Sequence, residues 1–324
     1  MCEEELDFDR AIDDANKLVL LSSALKTGIF SAITTERNIE TISSELGANE
    51  RALYIVLEAL YAMGYVEKKK DRYIIADRAR PFFIEGEKDY LGGYLPHALN
   101  KLKAWLELPL IIKGEKIGRK KPENISAFMN AMASRPDEVV NEIVSHCLDK
   151  KKDAKTVLDL GGGPGKYSRA FANRGLKAVL FDTNETIDHV GREFGLAGIR
   201  NLTLKKGDFT DDGFVKEFKE HSFDIVFMGN ITHIYSEEEN RKLLVRAGKL
   251  LKKGGMVAIE DFVRGRSPSA EMFAVNMLAS TESGGTWTEA QYREWLTDAG
   301  FGGIEVLDVD SNEKQVITAF LGTI

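Results

Sequence analysis

Two cysteines in 324 residues, Cys2 and Cys147, are too few and too far apart for a disulfide framework or a thiolate metal knuckle. That scarcity fits a reducing cytoplasm. The five histidines form no i, i+4 pair and no cluster with cysteine, so no metal site is expected. No uninterrupted apolar run reaches the roughly 18 residues that a membrane span requires. The first residues are acidic (Glu3, Glu4, Glu5, Asp7, Asp9) and lack the basic-then-apolar order of a secretory signal. A basic excess is missing too. With 44 Lys and Arg against 51 Asp and Glu, the net charge is −7, which argues against a nucleic-acid partner. A hydrophobic fraction of 43% and a charged fraction of 29% are ordinary for a globular chain, and the length is comfortable for two domains.

What is present is concentrated in Thr156 to Gly165, TVLDLGGGPG. An apolar, β-branched run meets an aspartate, Asp159, then a cluster of glycines, then a helix-compatible segment from Lys166. That order describes a buried parallel strand turning sharply into a helix, at the sheet edge where α/β folds bind nucleotides. A dinucleotide fingerprint needs Gly-x-Gly-x-x-Gly. Counted from Gly161 and Gly163, the third position is Lys166, so that fingerprint fails. Gly161-x-Gly163-x-Gly165 after Asp159 instead resembles the first motif of S-adenosylmethionine (SAM)-dependent methyltransferases.

Alternating strands and helices are expected downstream. Lys177–Phe181 reads as a second strand ending in Asp182, Leu202–Lys205 as a third leading to Gly207-Asp208-Phe209, and Phe223–Met228 as a fourth. Ser236 with Glu239 forms a capping box, opening a helix whose apolar face is Leu243, Leu244, Ala247, Leu250 and Leu251. Gly254-Gly255 is expected to end it before a fifth strand, Met256–Ile259, that leads to Glu260-Asp261. Thr288 and Gln291 make a second capping box, and its helix stops at Gly300. Two closing strands, roughly Gly303–Leu307 and Gln315–Phe320, flank a polar turn around Asn312. Such a hairpin resembles the closure of a methyltransferase sheet rather than that of a dinucleotide dehydrogenase.

The first hundred residues form a different module. Asp14–Leu25, Ile39–Leu46 and Asn49–Met63 read as helices, and Tyr65–Glu67 with Arg72–Ile75 as a two-stranded wing. A winged helix raises DNA binding, but residues 1–100 carry 18 acidic against 12 basic side chains. The helix that would enter the groove offers Arg51 beside Glu50 and Glu58, too little cation for phosphate contacts. Burial against a partner is the better expectation.

Together the two halves resemble the SAM-dependent O-methyltransferases with an N-terminal winged-helix dimerisation domain, of the plant phenolic and bacterial natural-product type. The likeness also rests on ELGANERALYIVLEALYAMGYVE, GNITHIYSEEENRKLL and NMLASTESGGTWTEAQYREWLTDAGF. It implies a SAM-methyltransferase Rossmann-like α/β sheet with a closing β-hairpin (153–324), a mostly α winged-helix dimerisation domain (1–93), and linker helices forming part of the substrate pocket (94–152). It implies a homodimer, SAM as cofactor and S-adenosylhomocysteine (SAH) as its product. Asp159, Gly161, Gly163, Gly165, Asp182, Asp208, Phe209 and Asn230 are the implied cofactor residues, Asp182 at the ribose and Asp208 with Phe209 at the adenine. The implied general base is His233, oriented by Asp261. An imidazole, with an ordinary pKa of about 6.5, suits removal of a hydroxyl proton at neutral pH. His97, His146, His189 and His221 lie outside any catalytic motif. Trp105, Phe128, Met129, Met132, Phe273, Asn276, Met277 and Thr286 are candidate walls of a pocket for a small, planar, apolar acceptor.

One departure stands out. The resemblance calls for a second acid in a Gly-Gly-x-Glu-x-Thr segment, but Gly284-Gly285-Thr286-Trp287-Thr288 has none and places Thr286 there. A threonine accepts a hydrogen bond without stabilising an imidazolium by charge. Three readings follow: methyl transfer to a hydroxyl with His233 as base; the same fold methylating carbon or nitrogen; and a non-catalytic SAM-binding or DNA-binding regulator.

Overall fold

The computed structural model describes residues 7–87, 89–115 and 125–322. The chain divides into two compact units, Met1–Lys103 and Ala104–Ile324.

In the first unit α1 (Phe8–Lys26) starts where the Asp7 carboxylate accepts from the Arg10 amide. Gly28, at φ 79°, turns the chain into α2 (Ile29–Ala32). After β1 (Arg37–Asn38) come α3 (Ile39–Leu46) and α4 (Glu50–Ala62), capped by Asn38 and Asn49 as their side chains accept amides of the first turn. Next are β2 (Val66–Lys69), β3 (Arg72–Ile75), α5 (Arg80–Phe83) and α6 (Tyr94–Trp105), the division falling inside α6. Phe30, Ile42, Leu57, Leu60 and Tyr73 are fully or almost fully buried in this unit's core. The expected two-stranded wing has a third member, because Arg37 and Asn38 pair antiparallel with Tyr73 and Arg72.

The second unit begins with α7 (Leu108–Ile112), α8 (Ile125–Ala133) and α9 (Asp137–Lys150). Then β4 (Thr156–Leu160), α10 (Lys166–Asn173), β5 (Lys177–Asp182), α11 (Asn184–Glu193), β6 (Leu202–Lys206), β7 (Phe223–Gly229) and α12 (Glu237–Leu250) alternate. The chain closes with β8 (Leu251–Asp261), β9 (Val263–Arg264), α13 (Ala270–Ser280), β10 (Trp287–Thr288), α14 (Glu289–Asp298), β11 (Phe301–Val309) and β12 (Lys314–Leu321). Among the described residues seven strands form one sheet in the order β11-β12-β8-β7-β4-β5-β6. From β8 to β6 it is parallel, and β12 and β11 are antiparallel additions.

Side chains alternate across this sheet with period two. Val157, Ile225, Phe227, Met256, Ala258 and Val316 share one core with Val144 of α9 and Phe171 of α10. Leu158, Leu160, Val226, Met228, Val257, Ile259 and Ile317 share the other with Leu244 of α12 and Trp295 of α14. Both faces are covered, which is why the central strands read as nearly continuous apolar runs.

Two boundaries differ from expectation. Leu251 is not on the helix: it pairs with Phe223 as the first residue of β8, and Ile225 next pairs with Met256. The extra residues bulge at Gly254, whose φ of 69° suits glycine. The second is the short parallel pair β9–β10, which the sequence does not announce.

Candidate active site

The parallel strands all end on one edge, and β4 pairs with both β5 and β7, so the strand order reverses there. In an open α/β sheet that reversal opens the ligand crevice. The residues following β4, β5, β6, β7 and β8 therefore converge without any sequence proximity.

The turn after β4 has one open position. A Cβ on Gly161 would come within 2.4 Å of the Ile231 side chain, and one on Gly165 within 2.5 Å of Leu196. Both glycines, at φ 68° and 74°, serve packing and backbone conformation. At Gly163 a Cβ would meet nothing nearer than the Met129 sulfur, at 4.0 Å. Backbone is thus presented to open space there, next to a carboxylate: Asp182 Oδ2 accepts from the Gly163 amide at 3.0 Å and Oδ1 from Thr183 at 2.7 Å. This pairing of an accessible glycine amide turn with an acceptor-only side chain suits a ligand bearing vicinal hydroxyls. Burial raises the Asp182 pKa against its amide donors.

Asp159, wholly buried, accepts from Ser168 at 2.6 Å, and burial pushes its carboxyl up to about 7. The Phe209 ring lies 3.1 Å from where a Cβ on Gly161 would sit, so the loop after β6 meets the turn after β4. Asp208 is exposed, with Oδ1 accepting from the Thr210 amide and hydroxyl. Asn230 has both side-chain atoms engaged: Nδ2 donates to Glu260 at 2.7 Å and Oδ1 accepts from Lys314.

Beyond β7 a 3-10 turn, Thr232–Ile234, presents His233. Its Nδ1 lies 2.7 Å from Asp261 Oδ1, at the end of β8. Burial raises the Asp261 pKa, but His233 beside it, the Thr232 hydroxyl and Lys314 together hold the carboxyl below its usual range. An ionised Asp261 has no proton to give, so Nδ1 is the donor and the imidazole keeps its lone pair on Nε2. No hydrogen bond to Nε2 is formed among the described residues, and the His233 side chain retains about 10% exposure. Two rings wall it: Phe273 edge-on at 4.9 Å, with Phe262 stacked on Phe273 at 4.0 Å.

The turn is held from three sides. Asn240 Nδ2 donates to the carbonyls of Thr232 and Tyr235, and the Trp287 indole donates to the Thr232 carbonyl. The Gly285 amide donates to the His233 carbonyl at 2.9 Å. A Cβ on Gly284 would come within 2.3 Å of that carbonyl, so Gly284 is needed for close backbone approach, whereas a Cβ on Gly285 would meet only the Trp287 ring, at 3.9 Å.

The eight pocket candidates separate. Phe273 and its helix neighbours Asn276 and Met277 lie on α13 by the His233 turn, and Trp105 donates to Asn276 Oδ1 at 3.2 Å. Phe128 and Met129 instead pack with Leu180, Ile187 and Leu196, and the Met129 sulfur faces the Gly163 turn. Met132 is exposed. Thr286 is buried, and its hydroxyl donates to the Ala270 carbonyl at 3.1 Å; among the described residues it forms no hydrogen bond to the imidazole.

Residues 115–302 match the O-methyltransferase domain model. The 3-hydroxy-5-methyl-1-naphthoate 3-O-methyltransferase of Streptomyces sahachiroi is 25% identical over 302 residues, covering 88% of this chain and 86% of that one. The tetracenomycin polyketide synthesis 8-O-methyl transferase TcmO of Streptomyces glaucescens is 25% identical over 320 residues, covering 92% and 91%. In fold, human N-acetylserotonin methyltransferase, solved in complex with SAM, superposes with a TM-score of 0.76 at 19% identity, covering all of both chains.

Proposed function

The chain belongs to the O-methyltransferase domain family, and from that premise we propose that His233 is the general base for methylation of an aromatic hydroxyl. The enzyme is a SAM-dependent O-methyltransferase of natural-product type acting on a small molecule. The observation that carries the proposal is the 2.7 Å bond from His233 Nδ1 to Asp261, which leaves Nε2 as a proton acceptor on an imidazole that lies against the Phe273 ring.

SAM supplies a methyl group activated on a sulfonium. As the acceptor oxygen receives that methyl group, Nε2 would take the proton that the hydroxyl gives up. Positive charge then rests on the imidazole, 2.7 Å from the Asp261 carboxylate that balances it. The glycine turn at Gly161, Gly163 and Gly165, with Asp159 behind it, holds the cofactor together with Asp182, Asp208 and Phe209. Asn230 acts through Glu260 and Lys314. Phe273, Asn276, Met277 and Trp105 bound the acceptor, and their apolar surface favours a planar ring system. The first unit serves as a winged-helix dimerisation domain, and the enzyme works in the cytoplasm.

The test is a panel of phenols and hydroxynaphthoates incubated with SAM and analysed by mass for gain of one CH2. His233→Ala is expected to lower turnover by about 10²–10⁴-fold, the usual worth of a positioned base, with SAH affinity unchanged. Near-wild-type turnover of a hydroxyl acceptor by that variant would remove the base. Products methylated only at carbon or nitrogen would replace the reading.

A further inference from the structure

Behind His233 lies a hydrogen-bond chain that the base mechanism does not use. Thr232 Oγ1 is 2.6 Å from Asp261 Oδ2 and 2.6 Å from the Tyr292 hydroxyl. All three side chains are almost completely buried. Counting protons fixes the direction. Asp261 is ionised and accepts only. Thr232 has one proton, which goes to Asp261, so the Tyr292 hydroxyl must donate to Thr232. Burial and the nearby Asp261 charge hold the Tyr292 phenol well above its usual pKa, which keeps it a donor.

The carboxylate is thus clamped at both oxygens. Oδ1 accepts from His233 Nδ1 and the Phe262 amide, the latter at 2.9 Å. Oδ2 accepts from Thr232 at 2.6 Å and from the His233 amide at a longer 3.1 Å. Without the threonine proton, Oδ2 keeps only the longer bond and the carboxylate gains freedom to rotate. Rotation moves Oδ1 off Nδ1, and with it the lock on ring tautomer and aim. Asp261 is the one carboxylate bonded to the imidazole among the described residues, so this clamp has no substitute.

We propose that Thr232 and Tyr292 are positioning residues, a two-hydroxyl strut from α14 that fixes Asp261 and through it the Nδ1–H tautomer of His233. The strut rests on the reading of His233 as the base. The charged and titratable groups around the strut are His233, Asp261, Tyr292 from α14 and Lys314 from β12.

The experiment is ¹⁵N NMR of the full-length protein, labelled at histidine and bound to SAH, with His233 signals assigned by their loss in His233→Ala. Wild type should hold a single Nδ1–H tautomer above its titration. Thr232→Val and Tyr292→Phe should admit the Nε2–H tautomer and lower the titration midpoint by roughly half to one pH unit, the scale of one weakened hydrogen bond. Thr232→Val should show the larger effect, and Thr232→Ser should restore the wild-type spectrum. A tautomer and midpoint unchanged in both variants, or a midpoint moved upward, would overturn the strut. Turnover of a hydroxynaphthoate tells the two ideas apart. A crippled His233→Ala with unaffected strut variants sinks the strut alone, whereas an active His233→Ala sinks the base reading.

Discussion

Glu260 and Asp261 are consecutive on β8 yet serve opposite faces of the sheet. Asp261 lies on the side of Val257 and Ile259 and meets His233; Glu260 lies with Met256 and Ala258 and meets Arg135 at 2.8 Å and Lys314 at 3.3 Å. The Tyr167 hydroxyl and Asn230 complete the Glu260 shell. The proposed base pair and a buried ion cluster are thus separated by one step of the pleat.

Substitution should separate them too. Glu260→Ala leaves Arg135 with Asp310 alone and Lys314 with Asn230 alone in a buried site, and is expected to cost about 3 kcal/mol of stability, the low end for removing one partner of a buried pair. Asp261→Asn should instead lower turnover, though less than His233→Ala, while SAH still binds. Thermal unfolding and SAH calorimetry on both variants check this; equal losses of stability would refute the division.

Asp159 makes a prediction about pH. Its carboxyl is pushed up to about 7 by burial, against an ordinary value near 3.9. Between those values the unfolded chain releases this proton while the folded chain keeps it. Stability from this group therefore falls as pH rises from about 4 to about 7, and then levels. Asp182, also raised by burial, has the same sign. Asp159→Asn mimics the neutral acid and can still accept from Ser168. Its melting temperature relative to wild type should rise between pH 4.5 and pH 8; a constant difference would contradict the assignment.

Much of this was legible because it is local. The turn at Gly161–Gly165 and the capping boxes at Ser236 and Thr288 are short-range patterns, and the structure forms both boxes. Leu251 continues the helical period set by Leu243, Leu244, Ala247 and Leu250, yet pairing with Phe223 makes it the first residue of β8. The Thr232–Tyr292 bond had no signal at all. Tyr292 shares a helix face with Trp295 and Leu296, so it reads as core, and its hydroxyl partner is 60 residues away. Phe128 and Met129 have the chemistry of an acceptor wall, but the packing of α8 on Leu180 and Ile187, which no local pattern announces, sets them apart from Phe273 and Asn276.

Asp182 offers the cleanest test of the cofactor site. Asp182→Ala removes acceptors for hydroxyl groups and also releases the Gly163 amide. A loss of about 1–3 kcal/mol in SAM or SAH binding is expected, the scale of hydrogen bonds to a charged group. NAD should not bind. Calorimetry reporting NAD binding, or undiminished SAM affinity in the variant, would count against the site.

Dimerisation can be tested on α1. Phe8, Ile12 and Val19 follow one helical stripe and are 68%, 58% and 44% exposed in the single chain. Light scattering should report a dimer at micromolar concentration, and Ile12→Glu with Val19→Glu should yield a folded monomer. A wild-type monomer, or a variant that stays dimeric, would exclude this face.

Gly284 links the loop that lacks a second acid to the backbone of His233, the proposed base. A methyl group there would come within 2.3 Å of the His233 carbonyl and 2.6 Å of the Thr281 hydroxyl, and the first of these is backbone that cannot swing aside. Gly284→Ala must therefore push the turn at Thr232–Ile234 or break the Gly285 amide bond to His233. Asp182 and the Gly163 turn, on other strands, are untouched. The expected result is turnover lowered by about 10-fold or more, since small misplacements of a catalytic group are costly, with SAH affinity within error of wild type. Equal loss of turnover and SAH affinity would mean that the loop supports the fold as a whole. Full turnover would mean that the His233 turn does not depend on this close approach.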